Sequence, residues 1–467
     1  GDERLGIAAR ARHHQSDHRP VSADRLVTTG VVSRPACVPQ EFTDTIGSHD
    51  RRVGEDSPMA HVTLEQLRDV FSRLASGSRV VASGNFATPT PLIQALDESL
   101  DSYILNMLNA HGDLPDRDGV LLETAFVGPG MRKRKGLRYV PCRLSMVPHL
   151  YSGPLPPDVV LLHTSTPRYG RVSLGLEVNV LPAAVEAARA RGGIVVGMMN
   201  PQMPYLYGDA EMLTSHFDYL VEIDQPVMSI EPTEPDLVSR AIGTNVAEQI
   251  EDSSTLQLGI GGIPDAVLGH LKGHRKLTIW SETFSDGVLA LEKAGALNKD
   301  RPIVASFIFG SRELYDWIHD NPRVRLLRTE KTNDPAIIAR HPRMTSVNSA
   351  LQVDLYGQAN ASTIHNKIYS GFGGQTDFIV GAMHAPEGRA FIALKSWHEK
   401  SSTSTIVDSL DARVTSFQQT AVVTEQGVAH LWGRSQAEQA KALIESAAHP
   451  EAQESLTKAA RKHGLFR

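Results

Sequence analysis

From Arg79 onward the chain repeats one local pattern: a short apolar run, a glycine- or proline-bearing turn, then residues at helical spacing. Val80-Val81-Ala82 leads through such a turn into "PLIQALDESL". Val159–Leu162 leads to a polar loop, and an alanine-rich helix over Pro182–Ala190 precedes the strand-like "GIVVGMMN". Apolar runs too short for helices, separated by amphipathic stretches, predict an α/β fold with mostly parallel sheets covered by helices. At 467 residues the chain is too long for one ordinary core, so two similar open α/β domains are expected. "YLVEIDQPVMSIEPTEPD" (219–236), with three prolines, is the expected linker. The expected division is an N-terminal domain over 59–228 and a C-terminal domain over 229–467, with the active site between them.

Two local echoes support duplication of one α/β unit as a hypothesis. "RVVASGNFATPTPLIQAL" (79–96) and "TLQLGIGGIPDAVLGHL" (255–271) both run strand, glycine turn, proline, helix. "STPRYGRVSLG" (165–175) pairs with "VDLYGQANAST" (353–363). Residues 1–58 follow neither period, contain no methionine and scatter charges throughout, so disorder is expected there, or an over-extended start ahead of Met59. They lack the apolar core of a secretory signal and are too acidic for a transit peptide.

Composition excludes several classes of function. A formal net charge of −6 argues against a general nucleic-acid binder. Apolar runs such as Ile194–Met199 fall far below the roughly 20 residues needed to cross a bilayer. The two cysteines, Cys37 and Cys142, form no C-x-x-C or Cys/His cluster, which suits a reducing, cytoplasmic setting. Among 19 histidines no H-E-x-x-H or other metal spacing occurs, so no metal is expected. Ser281 and Ser285 lack a G-x-S-x-G context.

Two glycine loops remain. "GIGGIPDAVL", from Gly259, follows the strand-like "TLQL" and opens a helix; "YSGFGGQTDFIVGA" (369–382) brings Gly371, Gly373 and Gly374 before another apolar run. Free N–H groups at helix starts favour phosphate, carboxylate or a developing oxyanion. Between the loops, "IWSETFSDG" ends a strand-like run in Glu282. By itself that glutamate is an acid beside a helix start, favoured by the helix dipole. Gly259-Ile260-Gly261 with Glu282 lying 282 − 261 = 21 residues on also imitates a dinucleotide fingerprint, although Pro264 stands where a small residue is usual. Spacing therefore leaves an NAD-dependent dehydrogenase open, beside an anion-binding loop.

The order of motifs is more specific. "GIGGIP", "SETFSDG", "KTNDP" (331–335), "VNSALQVDLYGQANAS", "SGFGGQTDF" and "VVTEQGVAHLWG" (422–433) follow one another in a chain that also carries "SGNFATPTPLIQAL" and "NPQMP" (200–204). Over about residues 62–460 this closely resembles the acetyl-CoA hydrolase/transferase family, which includes the 4-hydroxybutyrate and succinyl-CoA:acetate CoA-transferases. The resemblance implies a CoA-transferase acting between a short-chain acyl-CoA and a carboxylate such as acetate, with Glu282 forming a glutamyl-CoA thioester. An acyl-CoA hydrolase on the same scaffold and a non-catalytic CoA-binding module are the alternatives.

It further implies backbone N–H donors at Ile260 and Gly374, an acyl-positioning Asn333, and CoA contacts from Gln257, Leu258, Gly259, Ile260 and Gly261 and from Ser370, Gly371, Gly373 and Gly374. Coenzyme A enters as substrate, with no resident cofactor and no metal. The expected partners are acyl-CoA and small carboxylic acids, with no nucleic acid or membrane; a homo-oligomer is compatible. The chain departs from the family at Ser281, at Phe417–Ala421, and at Gln426, His430 and Trp432, so the resemblance does not fix the acyl group or the acceptor. An ordinary glutamate ionises near pH 4, so Glu282 is expected to be charged at neutral pH without a base partner.

Overall fold

The computed structural model describes residues 59–365, 367–411, 419–432 and 434–466. The expectation for residues 1–58, and the departure at Phe417 and Gln418, lie outside them. Residues 59–466 belong to one compact unit containing two large sheets. The first has eight parallel strands in the order Ala60–His61, Tyr219–Glu222, Ile194–Met199, Val159–Thr164, Ser78–Ala82, Tyr103–Asn106, Val120–Thr124, Arg138–Tyr139. The second has six, ordered Thr278–Ile279, Thr255–Leu258, Met344–Asn348, Arg389–Ala393, Ala421–Thr424, Gly427–His430, and its last pairing is antiparallel.

Burial explains why the apolar runs become central strands. Every residue of Val159–Thr164 is buried, as are all but the first of Ile194–Met199, because helices cover both faces of a parallel sheet. Each fully buried aliphatic side chain there contributes about 1.5–3 kcal/mol. The helices begin where polar side chains can satisfy free N–H groups. Leu64–Phe71 starts with a reciprocal Thr63/Gln66 box, and Asp236 caps Leu237–Ala247 by accepting from Ser239 N–H at 2.8 Å.

The region read as a linker divides in two. Tyr219–Glu222 is a strand of the first sheet, paired in register with Val196–Met199, and only residues 223–236 run without regular structure. Prolines confined to 226–235 masked the strand pattern of Tyr219-Leu220-Val221, whose last two residues are buried.

The two halves share one hydrophobic core, and backbone bonds join them beside Glu282. Glu177 bridges Phe307, Val178 N–H donates to Ser306 O at 2.9 Å, and Ile308 N–H donates to Leu176 O at 2.9 Å. Ser306 N–H in turn donates to Glu282 O at 2.8 Å. One backbone segment, 306–308, therefore lies between Glu282 and residues 176–179 of the first half. The second glycine loop docks on the first half from another side, through Val127 N–H to Ser370 O at 2.7 Å and Leu144 N–H to Gly373 O at 2.9 Å.

Candidate active site

Glu282 stands at a bend between the strands Thr278–Ile279 and Thr283–Phe284. Trp280 forms an isolated bridge to Val304, and its indole N–H donates to Thr332 O at 3.1 Å. That contact ties the chain just before the glutamate to the chain just before Asn333. Thr332 Oγ1 then donates to Asn333 Oδ1 at 2.8 Å, which leaves the amide nitrogen facing Glu282 Oε2 at 2.9 Å. Asn333 itself is completely buried. Gly374 supplies its backbone N–H to the same carboxylate. A Cβ placed on Gly374 would lie 1.7 Å from Glu282 Oε2, so only glycine allows this approach.

The Glu282 carboxyl differs from the expectation for an ordinary glutamate. Burial pushes it up to about 7, and the nearby Asp377 charge adds to the rise; the hydrogen bonds from Asn333 and Gly374 act the other way. The site thus holds a carboxyl poised between its two forms at neutral pH and relies on those donors to keep it ionised. Desolvation, which no local sequence pattern displays, overturned the expectation of a fully charged group.

Asp377 carries none of the expected roles yet belongs to the same cluster. It is fully buried, accepts from Ser145 N–H at 3.0 Å and Ser145 Oγ at 2.8 Å, and lies 3.9 Å from Arg143. Burial pushes its carboxyl up to about 6 against those bonds. It stands on the helix Gln375–His384, which begins at Gly374.

The first glycine loop joins the buried strand Thr255–Leu258 to the helix Gly262–His270. Gly261 has φ 113°, and nothing lies within 4 Å of a Cβ added to Gly259 or Gly261, so the loop leaves open space for a ligand. Ile260 between them is 43% exposed. Gln257 and Leu258 are placed differently. Gln257 Oε1 accepts from Ser346 Oγ at 2.7 Å and Asn348 Nδ2 at 3.1 Å inside the sheet. Leu258 packs in the core, and its carbonyl accepts from Ser281 Oγ at 3.1 Å. In the second loop Ser370 Oγ donates to Ala361 O at 2.9 Å, and Gly373, with φ 55°, approaches the Phe126 ring.

Glu282, Gly259, Ile260 and Gly373 share the wall of one cavity of about 270 Å³. A larger one, about 780 Å³, adjoins it through Ile260 and Phe309 and is lined by Pro232, Pro235, Arg240, Lys272 and Lys293. Carboxylates of Glu231, Glu234, Asp265, Asp286 and Glu313 line it as well, so its charge is mixed, and its size leaves room for a long ligand whose reactive end enters the smaller cavity. The small cavity also carries asparagines that sequence reading missed. Asn85, Asn109 and Asn179 all have left-handed backbones, at φ 46°, 44° and 23°. They form a relay in which Asn109 Nδ2 donates to Asn85 Oδ1 at 2.8 Å. Asn85 and Asn179 both donate to Glu177 Oε1, at 3.0 and 2.7 Å. Glu177 is 1% exposed, and burial pushes its carboxyl up to about 7. Three amides with left-handed backbones, joined through Glu177 and one Asn109–Asn85 bond, mark a shaped polar surface. A cluster of Asn within "SGNF", "LNAHG" and "LEVNV" was the available signal.

The local topology also explains the dinucleotide likeness. Glu282 follows the strand Thr278–Ile279, which pairs parallel with Thr255–Leu258 across the helix Gly262–His270. What differs is its company: Asn333 and Gly374 come from outside that unit and hold the carboxylate at the cavity.

Two family models match, the acetyl-CoA hydrolase/transferase N-terminal domain over residues 63–232 and the C-terminal domain over 310–460. Glu282 lies in the stretch between them. A 4-hydroxybutyrate coenzyme A transferase of Clostridium kluyveri is 38% identical over 418 residues, 85% of this chain and 96% of that protein. A succinyl-CoA:acetate/propanoyl-CoA:succinate CoA transferase of Fasciola hepatica is 35% identical over 84% of this chain and 86% of its own length. The crystal structure of RipA from Yersinia pestis superposes with a TM-score of 0.81 at 28% identity, over 87% of this chain and 98% of that one.

Proposed function

The chain belongs to the acetyl-CoA hydrolase/transferase family, and on that footing we propose that it moves coenzyme A between a short-chain acyl-CoA and a carboxylate such as acetate, with Glu282 as nucleophile. The observation that carries this reading is the half-buried Glu282 carboxyl at the cavity wall, held by Asn333 Nδ2 at 2.9 Å and by the Gly374 N–H.

The chemistry balances on that one carboxylate. Glu282 Oε attacks the acyl carbonyl, the C–S bond breaks, and a mixed anhydride and CoA thiolate result. The thiolate attacks the glutamyl carbonyl of the anhydride and expels the first acid as its carboxylate, leaving CoA on Glu282 as a thioester. The incoming carboxylate attacks that thioester, forming a second anhydride and releasing thiolate again. Thiolate attack on the new acyl carbonyl yields the product acyl-CoA and restores the glutamate. Splitting one difficult exchange this way predicts ping-pong kinetics.

Each attack gathers negative charge on a carbonyl oxygen. The N–H groups of Ile260 and Gly374 are the donors we assign to those oxyanions, each worth about 3–4 kcal/mol in comparable sites. Asn333 orients the carboxylate and, with Gly374, offsets the desolvation that raises its pKa. The larger cavity suits the nucleotide end of CoA, whose distant binding energy can be expressed at the thioester. Coenzyme A is then a substrate, and no step calls on a metal or resident cofactor. Few cysteines and a CoA co-substrate fit a cytoplasmic setting; among the described residues no helix is long and apolar enough to cross a membrane.

The test is to incubate the enzyme with acyl-CoA and no acceptor, then weigh the intact protein. Covalent CoA on Glu282, removed by hydroxylamine and absent from Glu282→Ala, is expected. Acceptor-dependent turnover surviving in freshly prepared Glu282→Ala would end the proposal. Steady release of free acid from wild type without any acceptor would instead identify a hydrolase.

A further inference from the structure

Glu177 takes no part in the chemistry above and does not line the Glu282 cavity. It is nevertheless buried, and burial pushes its carboxyl up to about 7. An aliphatic residue would fill a core position without the cost of burying a carboxyl, so its partners bear on why it stands there. Glu177 Oε1 accepts from Asn85 Nδ2 at 3.0 Å and from Asn179 Nδ2 at 2.7 Å. Asn179 Oδ1 in turn accepts from Val180 N–H at 2.5 Å. Its backbone keeps the left-handed φ of 23°, a conformation that costs free energy outside glycine. The side chain of Asn179 is thus held at both ends while its backbone is strained.

Two short chains of backbone hydrogen bonds leave Asn179. In one, Asn179 N–H donates to Ser306 O at 3.2 Å, and Ser306 N–H donates to Glu282 O at 2.8 Å. In the other, Thr329 N–H donates to Asn179 O at 3.0 Å, and Asn333 N–H donates to Thr329 O at 2.9 Å. One residue therefore stands two bonds from the proposed nucleophile and two bonds from the amide that orients it. Glu177 adds a third tie, since it bridges Phe307, whose N–H also donates to Glu282 O at 3.1 Å. Without the Glu177 acceptor the strained Asn179 backbone is free to relax, and Ser306 and Thr329 move with it. We infer that Glu177 is a positioning residue, which by holding Asn179 sets the placement of Glu282 against Asn333. The inference rests on the transferase reading above and adds to it a residue that never meets substrate.

The test follows covalent CoA on Glu282 in single turnovers of the full chain with acetyl-CoA, beside steady-state transfer to acetate. Glu177→Leu fills the space without an acceptor. It should slow adduct formation and kcat about tenfold to a hundredfold, the loss that goes with a displacement of up to about 1 Å at a reacting group. KM for acetyl-CoA and for acetate should stay within about twofold, because no contact with either is removed. Glu177→Gln keeps one oxygen for both amides and should stay within about threefold of wild type. If Glu177→Leu does not fold, Asn179→Gly decides. Glycine accepts the left-handed backbone without strain but offers Glu177 nothing to hold, so a folded enzyme with a comparable loss of rate is expected. Adduct formation at the wild-type rate in folded Glu177→Leu or Asn179→Gly would overturn the inference. So would a raised KM with kcat unchanged, since Glu177 would then shape a binding wall. An equal loss in Glu177→Gln and Glu177→Leu would overturn it too, because the charge rather than the held geometry would matter. These outcomes leave the transferase reading standing, whereas a wild type that forms no adduct on Glu282 sinks that reading itself.

Discussion

Replacing Gly374 with alanine adds one methyl group where the structure leaves no room for it. Its Cβ would stand 1.7 Å from Glu282 Oε2 and 2.3 Å from Asn333 Nδ2, and real contacts of this kind do not fall below 3.0 Å. The carboxylate must therefore retreat by at least 3.0 − 1.7 = 1.3 Å, or the helix Gln375–His384 must move back by the same amount. A displacement near 1 Å at a reacting group costs on the order of a hundredfold in rate, about 2.7 kcal/mol of activation free energy. Backbone strain does not enter, because Gly374 has φ −95° and ψ 1°, which alanine adopts readily. The substitution thus isolates the steric effect on the nucleophile. We expect kcat/KM to fall about a hundredfold or more in an acceptor-dependent transfer assay, with slower formation of the protein–CoA adduct and a still cooperative thermal transition. Gly273→Ala is the control, at a negative-φ glycine with nothing within 4 Å of the new Cβ, and should behave as wild type. A folded Gly374→Ala enzyme turning over within threefold of wild type would refute the placement of Glu282 against this glycine.

The acid limb of kcat/KM for acyl-CoA should fall near pH 7, because the ionised form of Glu282 attacks and burial has raised its pKa to about 7; a limb at the pH of an ordinary glutamate would contradict the desolvated site. Asn333→Ala removes a bond that favours the carboxylate, so that limb should move to higher pH, and an unmoved limb would separate Asn333 from the nucleophile. Asp377→Asn removes a charge that raises Glu282, so it should shift the limb to lower pH, with some loss of stability from the Ser145 contacts. Stability should fall as pH rises toward neutrality. Glu177, Glu282 and Asp377 bind protons more tightly folded than unfolded, so their contribution is complete below about pH 4 and lost as pH rises through about 6 to 7. Thermal unfolding from pH 4.5 to 8 follows this against the opposing ion pairs, and Glu177→Gln should flatten the slope.

What the sequence by itself determined is local. Apolar runs such as Val159–Leu162 read as strands of a covered sheet, and both glycine loops fell where strands open into helices or loops dock. Glu282 was legible because a carboxylate ending an apolar run stands out, and the order of six motifs gave it a context. Folding decided the rest, because it depends on distance and dielectric rather than on neighbours in the chain. Asn333 meets Glu282 only because Trp280 grips Thr332, and Gly374 reaches it only because the second loop docks on residues 127 and 144. The asparagine relay on Glu177 comes from segments far apart in the chain, each unremarkable alone. Gln257 and Leu258 looked like part of a ligand loop and are turned into the sheet, since alternate strand residues face opposite ways and this register buries both. The raised carboxyl of Glu282 is the clearest case: ionisation follows how much water packing removes, and no residue pattern records that.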